Sequence, residues 1–330
     1  MNNTPSFWYP KNGHISLKAL ILWPLTLLWR LGALLKKITT SPYQSKIPVV
    51  VVGNITAGGT GKTPIVMALC RLAQNNGYNP VILTRGYGGT IAGPYLANDK
   101  DSSAHIGDEA QLMLGVAPLV ISHDRGKGAQ WIEENIPSCD LIIMDDGMQN
   151  QTIAHDQKIA VFNGSLGIGN GMLIPSGPLR EKWSSLKSCD AVMITGEDKH
   201  NLPQSIRALR NDLPILKVKR GLNEKDIAKV KKSDVIAFAG IGDPNQFFEM
   251  LLAKGINLVN THIYPDHHGF SAQEINDLRD EAKSKNAVLV TTEKDYVRLT
   301  PEMALDINFI RLETILDDRA LDILPKAHYG

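Results

Sequence analysis

The chain has 330 residues, 43% of them hydrophobic and 21% charged, with a formal net charge of +1. That balance excludes a disordered or polytopic membrane chain, and the length favours two domains over one. Three widely spaced cysteines, Cys70, Cys139 and Cys189, lack the CxxC or Cys/His spacing of a zinc site and read as reduced core residues of a cytosolic protein.

The charges are unevenly placed. No Asp or Glu precedes Asp99, while that stretch carries nine Lys or Arg, six of them (Lys11, Lys18, Arg30, Lys36, Lys37 and Lys46) within the first 48 residues. So basic an arm seeks anions, with nucleic acid or anionic lipid as the usual candidates. Its setting favours lipid and no nucleic acid. The segment from Leu17 to Lys37 is apolar, holds Trp23 and Trp29, and is bordered by lysines. Its longest uncharged stretch, Ala19 to Trp29, is 11 residues, short of the roughly 20 that a spanning helix requires. The expectation is an amphipathic helix within residues 1–40 that lies on a membrane surface. A secretory signal lacks its small-residue cleavage site here; the other alternative is a helix packed on the protein itself.

After a polar break at Thr39 to Lys46, Pro48 to Gly53 reads as a buried parallel strand. Pro64 stands near the start of the following helix, Ile65 to Gln74, where a missing N–H costs little. Further strands are expected at Val81–Thr84, Leu119–Ser122, Leu141–Met144, Ile159–Phe162 and Ala191–Thr195, a rhythm that predicts an α/β fold with a mainly parallel sheet and helices on both faces. A second, smaller α/β unit begins with strand Val235–Ala239 and continues with helix Asn245–Lys254, strand Leu258–Ile263, helix Ala272–Lys285 and strand Ala287–Thr291. The charged stretch Arg220 to Lys232 reads as the link into it. The expected division is thus an N-terminal helix in 1–40, a P-loop NTPase-like core in 41–219 and a smaller unit in 220–330.

The chemistry centres on Thr56-Ala57-Gly58-Gly59-Thr60-Gly61-Lys62-Thr63. Strand before and helix after give the context that a Walker A loop needs. Its glycines let backbone N–H groups converge on phosphate oxygens, Lys62 offsets the β/γ charge, and the Thr63 hydroxyl can ligate Mg2+. Thr56 stands where the strict pattern has Gly. The apolar strand ending in Asp145-Asp146 supplies the acids expected near the phosphates. Loop-like clusters at Arg85 to Gly89, Gly107 to Ala110 and Gly169 to Glu181 look like anion or acid/base equipment, and Arg125, Arg180 and Gln149 add polar candidates. Ionisable groups also gather at Tyr264 to Phe270, which includes His267 and His268, and at Thr292 to Asp295.

In order, Gly53-Asn-Ile-Thr-Ala-Gly-Gly-Thr-Gly-Lys-Thr-Pro64, Arg85-Gly-Tyr-Gly-Gly89, Gly107-Asp-Glu-Ala110, Asp145-Asp-Gly-Met-Gln149, Gly169-Asn-Gly171, Gly177-Pro-Leu-Arg-Glu181, Pro265-Asp-His-His268 and Thr292-Glu-Lys-Asp295 resemble the tetraacyldisaccharide 4'-kinase family over nearly the whole chain. The resemblance implies transfer of the ATP γ-phosphate to the 4'-hydroxyl of an acylated glucosamine disaccharide 1-phosphate, giving lipid IVA. It also implies a peripheral protein on the cytoplasmic face of a bacterial inner membrane. Asp108 would act as catalytic base with His267, the choice between His267 and His268 being open, and Lys62 would assist transfer. Thr63, Asp145, Asp146 and Glu109 are the metal candidates; Arg85, Arg125, Gln149 and Arg180 are the acceptor-side candidates. Met148, Asn150 and Met172 depart from the residues common in that family. The alternatives are a soluble P-loop kinase or ligase for a small acid, and a nucleotide-dependent switch or metallochaperone, for which Thr292-Glu-Lys-Asp295 would be a loose base-reading loop.

Overall fold

The computed structural model describes residues 4–10, 14–58 and 61–325. Gly59 and Thr60 of the phosphate loop, and Lys11, fall outside them, as do the side chains of Arg30, Lys36 and Lys37. The strands are β1 (Val49–Gly53), β2 (Pro80–Thr84), β3 (Tyr95–Leu96), β4 (Leu119–Ile121), β5 (Leu141–Asp145), β6 (Gln157–Asn163), β7 (Ala191–Thr195), β8 (Ile215–Leu222), β9 (Asp234–Ala239), β10 (Asn257–Ile263), β11 (Ala287–Thr292), β12 (Ile307–Ile310) and β13 (Leu312–Ile315).

Nine of them form one sheet in the order β13-β8-β7-β6-β1-β5-β2-β4-β3. The seven strands from β8 to β4 pair in parallel, and β13 and β3 run antiparallel at the two edges. Burial on both faces explains the unbroken apolar runs of the central strands. Side-chain alternation sends Val50 and Val52 to one core and Val49 and Val51 to the other. The first core is roofed by helix Lys62–Asn75, which buries Ile65, Val66, Leu69, Cys70 and Ala73 along one face. The second is roofed by helix Arg125–Asn135 through Ala129 and Ile132. Because β1 lies between β5 and β6, the order of connection reverses on either side of it, and the crevice at the carboxyl ends of β1 and β5 is where such sheets bind ligands.

The second sheet, β10-β9-β11-β12, is parallel throughout. Phe238 is fully buried at its centre, edge-on to Phe270 at 5.4 Å and Tyr264 at 6.5 Å between ring centroids. Helix Ala272–Ser284 covers that face and opens on a capping box of Ser271 and Glu274.

The expected boundary at residue 220 does not describe this packing. The stretch read as a charged link is the end of β8 followed by helix Glu224–Val230, whose N-cap Asn223 accepts from the Asp226 N–H. At the other end, β13 pairs with β8 in the large sheet, and Ala320, Ile323 and Leu324 enter the large sheet's core. The small sheet is therefore built from the chain between β8 and β13, and the last strand returns to the large one.

The N-terminal helix spans Leu17–Thr39 with Pro24 inside it. Ala19 and Thr26, two turns apart, are its buried residues among those described, while Leu17, Leu20, Ile21, Trp23, Leu28, Leu31 and Ile38 are exposed. No helix of the described residues is long and apolar enough to cross a membrane. The Trp29 indole N–H donates to the Arg180 carbonyl at 3.3 Å, and that of Trp8 to the Pro175 carbonyl at 3.0 Å.

Candidate active site

The phosphate loop runs from β1 to helix Lys62–Asn75, and Gly61 ends it in the left-handed region at φ 79°, open to glycine at little cost. Its first half is stitched to a neighbouring segment. Thr56 bridges Leu179, the Ala57 N–H donates to the Pro178 carbonyl at 2.6 Å, and the Arg180 N–H donates to the Ile55 carbonyl at 2.7 Å. Asn54, fully buried, reaches across the turn: its amide donates to the Gly58 carbonyl and its oxygen accepts from Lys62 Nζ, both at 3.4 Å. Lys62 thus emerges from the helix start aimed back over the loop.

Register places the acids beside it. β1 pairs with β5 so that Val52 faces Asp145. Asp146 lies 3.5 Å from Lys62 Nζ and 3.3 Å from Arg180 Nη1. Burial pushes the Asp146 carboxyl up, but Lys62 and Arg180 outweigh it and hold the group below the ordinary carboxylate range. Asp145 behaves oppositely. It is buried, its Oδ1 has no hydrogen-bond partner among the described residues, and burial followed by the nearby Glu109 charge pushes its carboxyl up. A buried carboxylate oxygen without a donor is costly unless a cation meets it.

No three His, Cys, Asp or Glu side chains of the described residues converge as a complete cation site. Mg2+ takes one or two carboxylates and completes its octahedron with water and substrate phosphates. Asp145 fits this role best, with the Thr63 hydroxyl at the helix start and Glu109 near Asp145. Asp146, engaged by two cations, is less free.

Asp108 and His267 meet across the two sheets' units. Gly107, at φ 91°, brings the chain so close to Tyr87 that a Cβ there would stand 2.2 Å from the Tyr87 carbonyl oxygen. Asp108 then opens helix Asp108–Met113. His267, itself at φ 60°, follows β10 and presents Nδ1 3.3 Å from Asp108 Oδ2. Lys294 Nζ stands 3.3 Å from the other ring nitrogen and Arg298 Nη2 3.0 Å from Nδ1, so Nδ1 faces both the Asp108 carboxylate, which only accepts, and the Arg298 guanidinium, which only donates, and the tautomer decides which of the two it bonds. Arg298 Nε also donates to Asp108 Oδ2, at 2.8 Å. The His267 hydrogen bond, joined by Arg298 and opposed by burial, holds the Asp108 carboxyl at about 2.

His268 points elsewhere. It pairs with Glu274 at 2.9 Å and stacks on Tyr264 at 4.9 Å between ring centroids, so geometry favours His267 of the two.

The remaining candidates are less gathered. Arg125 is buried, donates to the Ser122 carbonyl, and is lowered to about 10 by burial, against the nearby Asp145 charge. Gln149 donates to the Asn54 carbonyl at 3.0 Å and to Glu181 at 2.7 Å, which ties the loop entry to the segment before Trp183. Arg85 is exposed after β2. Two departures from the family's common residues have local partners: Met148 packs against Gly53, and Asn150 accepts from both the Thr152 N–H and its hydroxyl at 2.9 Å. The Asp295 carboxylate, fully buried, is committed to the Gly240 N–H and the Thr292 hydroxyl. It is therefore closed to reading a nucleotide base.

Asn54 and Arg298 were not anticipated as site residues. Asn54 directly follows the strand, and Arg298 stands one helical turn beyond Asp295, so each carried a local signal; their long-range partners did not.

A glycine turn heading a helix, a lysine folded over it, and two acids at the end of the adjoining parallel strand define a P-loop phosphotransferase. The family model described as Tetraacyldisaccharide-1-P 4'-kinase matches residues 18–327. The chain belongs to the tetraacyldisaccharide 4'-kinase family. It is 38% identical over 322 residues to the protein of that name from Methylobacterium sp. (strain 4-46), covering 96% of this chain and 95% of the relative. To the one from Paramagnetospirillum magneticum it is 39% identical over 301 residues, covering 91% and 90%. Among solved structures it is similar to LpxK from Aquifex aeolicus in complex with ATP, with a TM-score of 0.69 and 25% identity over 92% of this chain and 96% of that one.

Proposed function

We propose that the chain transfers the γ-phosphate of ATP to the 4'-hydroxyl of tetraacyldisaccharide 1-phosphate, forming lipid IVA in lipid A biosynthesis. The observation that carries this is the meeting of two half-sites: the phosphate loop with Lys62 and Asp146 on the large sheet, and the Asp108–His267 pair joining it to the small one.

Backbone N–H groups of residues 56–63 would cradle the triphosphate while Lys62 offsets charge on the transferring group. Mg2+, held by Asp145 and Thr63 with Glu109 nearby, would neutralise charge on the phosphate oxygens. Asp108 remains a carboxylate throughout the physiological range, the form that accepts the hydroxyl proton. In a loose transition state that proton leaves late, so orientation of the hydroxyl counts for more than basicity. His267, held between Asp108 and Lys294, orients the carboxylate. Closure of the two units would exclude water and so limit wasteful hydrolysis.

The acceptor is an amphiphile, and the exposed apolar residues of helix Leu17–Thr39 supply a surface of matching chemistry. This supports peripheral attachment to the cytoplasmic face of the inner membrane. Arg85, Arg125, Gln149 and Arg180 are the polar groups proposed to meet the acceptor's phosphate and sugar.

ATP consumption measured in detergent micelles with and without the glycolipid tests the reading. Turnover should depend on the glycolipid and yield a bis-phosphorylated product; hydrolysis that the glycolipid leaves unchanged would refute it.

A further inference from the structure

Arg298 is 6% exposed as a side chain, yet it belongs to none of the motifs that mark the phosphate loop or its acids. Its guanidinium is fixed from behind by two groups. Nη1 donates to Asp295 Oδ1 at 2.9 Å and to the Gly240 carbonyl at 3.2 Å. Asp295 in turn accepts from the Gly240 N–H at 3.0 Å and the Thr292 hydroxyl at 2.7 Å. The free edge of the fork projects out of the small unit, with Nε 2.8 Å from Asp108 Oδ2 and Nη2 3.0 Å from His267 Nδ1.

A planar guanidinium with five fixed donors can hold two carboxylates at set angles, which an ammonium cannot. Here one carboxylate, Asp295, is the rigid anchor, and the other, Asp108, is the group delivered. Four polar contacts are made by this one buried side chain. One of them, from Nε, ends on Asp108 Oδ2, the oxygen that His267 also touches.

We propose that Arg298 is a positioning residue for phosphoryl transfer: anchored by Asp295 and Gly240, it aims the Asp108 carboxylate and the His267 ring at the acceptor hydroxyl. The proposal rests on the assignment of Asp108 as the proton acceptor. It makes the run from Thr292 to Arg298 part of the catalytic machinery's scaffold, even though Asp295 itself meets no substrate.

A double-mutant cycle on the full-length enzyme in glycolipid micelles tests this, with kcat and KM measured for wild type, Arg298→Gln, Asp108→Asn and the double variant. Arg298→Gln should lower kcat by about 10- to 100-fold, part of the roughly 100- to 10,000-fold that a placed acid or base contributes, and leave KM for ATP within about twofold. The double variant should fall no further than Asp108→Asn alone, since Arg298 acts through that carboxylate. Arg298→Lys, which keeps the charge and loses the fork, should lie between wild type and Arg298→Gln. Should Arg298→Gln fail to fold, Arg298→Lys takes its place in the cycle.

Unchanged kcat in Arg298→Gln, or losses that multiply in the double variant, would overturn the proposal. A loss confined to melting temperature and KM for ATP would reduce Arg298 to adhesion between the units and overturn it equally. Near-normal kcat in Asp108→Asn, seen before Arg298 is touched, would instead strike the assignment on which it rests.

Discussion

The Arg220 guanidinium lies directly over Gly61: a Cβ at that glycine would stand 2.2 Å from Arg220 Nη2. Arg220 comes from β8, and its Nη1 donates to Gln246 Oε1 at 3.1 Å, on helix Pro244–Ala253 of the small unit. One arginine therefore links the last glycine of the phosphate loop to the second sheet.

Gly61→Ala should accordingly weaken nucleotide binding. The left-handed backbone at φ 79° costs a non-glycine residue about 1–2 kcal/mol, and the methyl group collides with Arg220. Together these amount to a loss of about tenfold or more in ATP affinity, measurable by titration calorimetry. Arg220→Ala placed in the same chain should return part of it by clearing the space, and ATP binding unaltered by Gly61→Ala would show that the loop adopts another shape in solution.

Lys62→Ala and Asp108→Asn should separate binding from chemistry. The first removes the cation beside Asp146 and should abolish transfer while weakening ATP binding. The second should lower kcat by about 100-fold or more with ATP binding retained. His267→Ala should follow Asp108→Asn, whereas His268→Ala should chiefly lower the melting temperature, because His268 is engaged with Glu274 and Tyr264. A larger kcat loss in His268→Ala than in His267→Ala would reverse that choice.

The Asp108 carboxyl sits at about 2 in the folded protein against an ordinary 3.8. The folded value is the lower one, so as pH falls the unfolded chain takes up its proton first. The stability from this group is complete above the unfolded value and is lost as pH falls through the folded one. Urea midpoints of wild type and Asp108→Asn should thus differ most above pH 3.8 and converge toward pH 2. A gap that stays constant over that window would mean the carboxylate is not paired as described.

Deleting residues 1–38 should release the protein from anionic liposomes and raise KM for micellar glycolipid, with ATP binding preserved. The helix meets the large unit through Trp29 and the turn before it through Trp8, and none of their described residues belongs to the large sheet's cores. Co-sedimentation equal to that of the full chain would place the lipid-binding surface elsewhere.

The large sheet's centre was legible because its strands are continuous apolar runs and its loop carries a motif whose spacing follows from phosphate geometry. The boundary near residue 220 was not. Leu216-Lys217-Val218-Lys219 alternates apolar and charged residues, the signature of a half-buried strand, but the charged run from Arg220 to Lys232 that continues it read as a linker and hid the strand's end at Leu222. β13, four residues long, offered no local sign that it would return to the first sheet. Distance in sequence hid the rest: Arg298 shows a helical-turn relation to Asp295, whereas Asp108 lies 190 residues away. The exposed faces of helix Leu17–Thr39 follow from its composition, yet its attachment through Trp8 and Trp29 depends on carbonyls that carry no residue-specific signal.

Because β13 closes an edge of the sheet that bears the phosphate loop, damage near the carboxyl terminus is not confined to the small unit. Cutting the chain before Leu312 would strip β8 of a neighbour and withdraw Ala320, Ile323 and Leu324 from beneath helix Lys62–Asn75. A nonsense codon or proteolytic nick there would loosen the floor on which Lys62 stands, so such a remnant should fail at nucleotide capture before any defect in recognising the lipid could show.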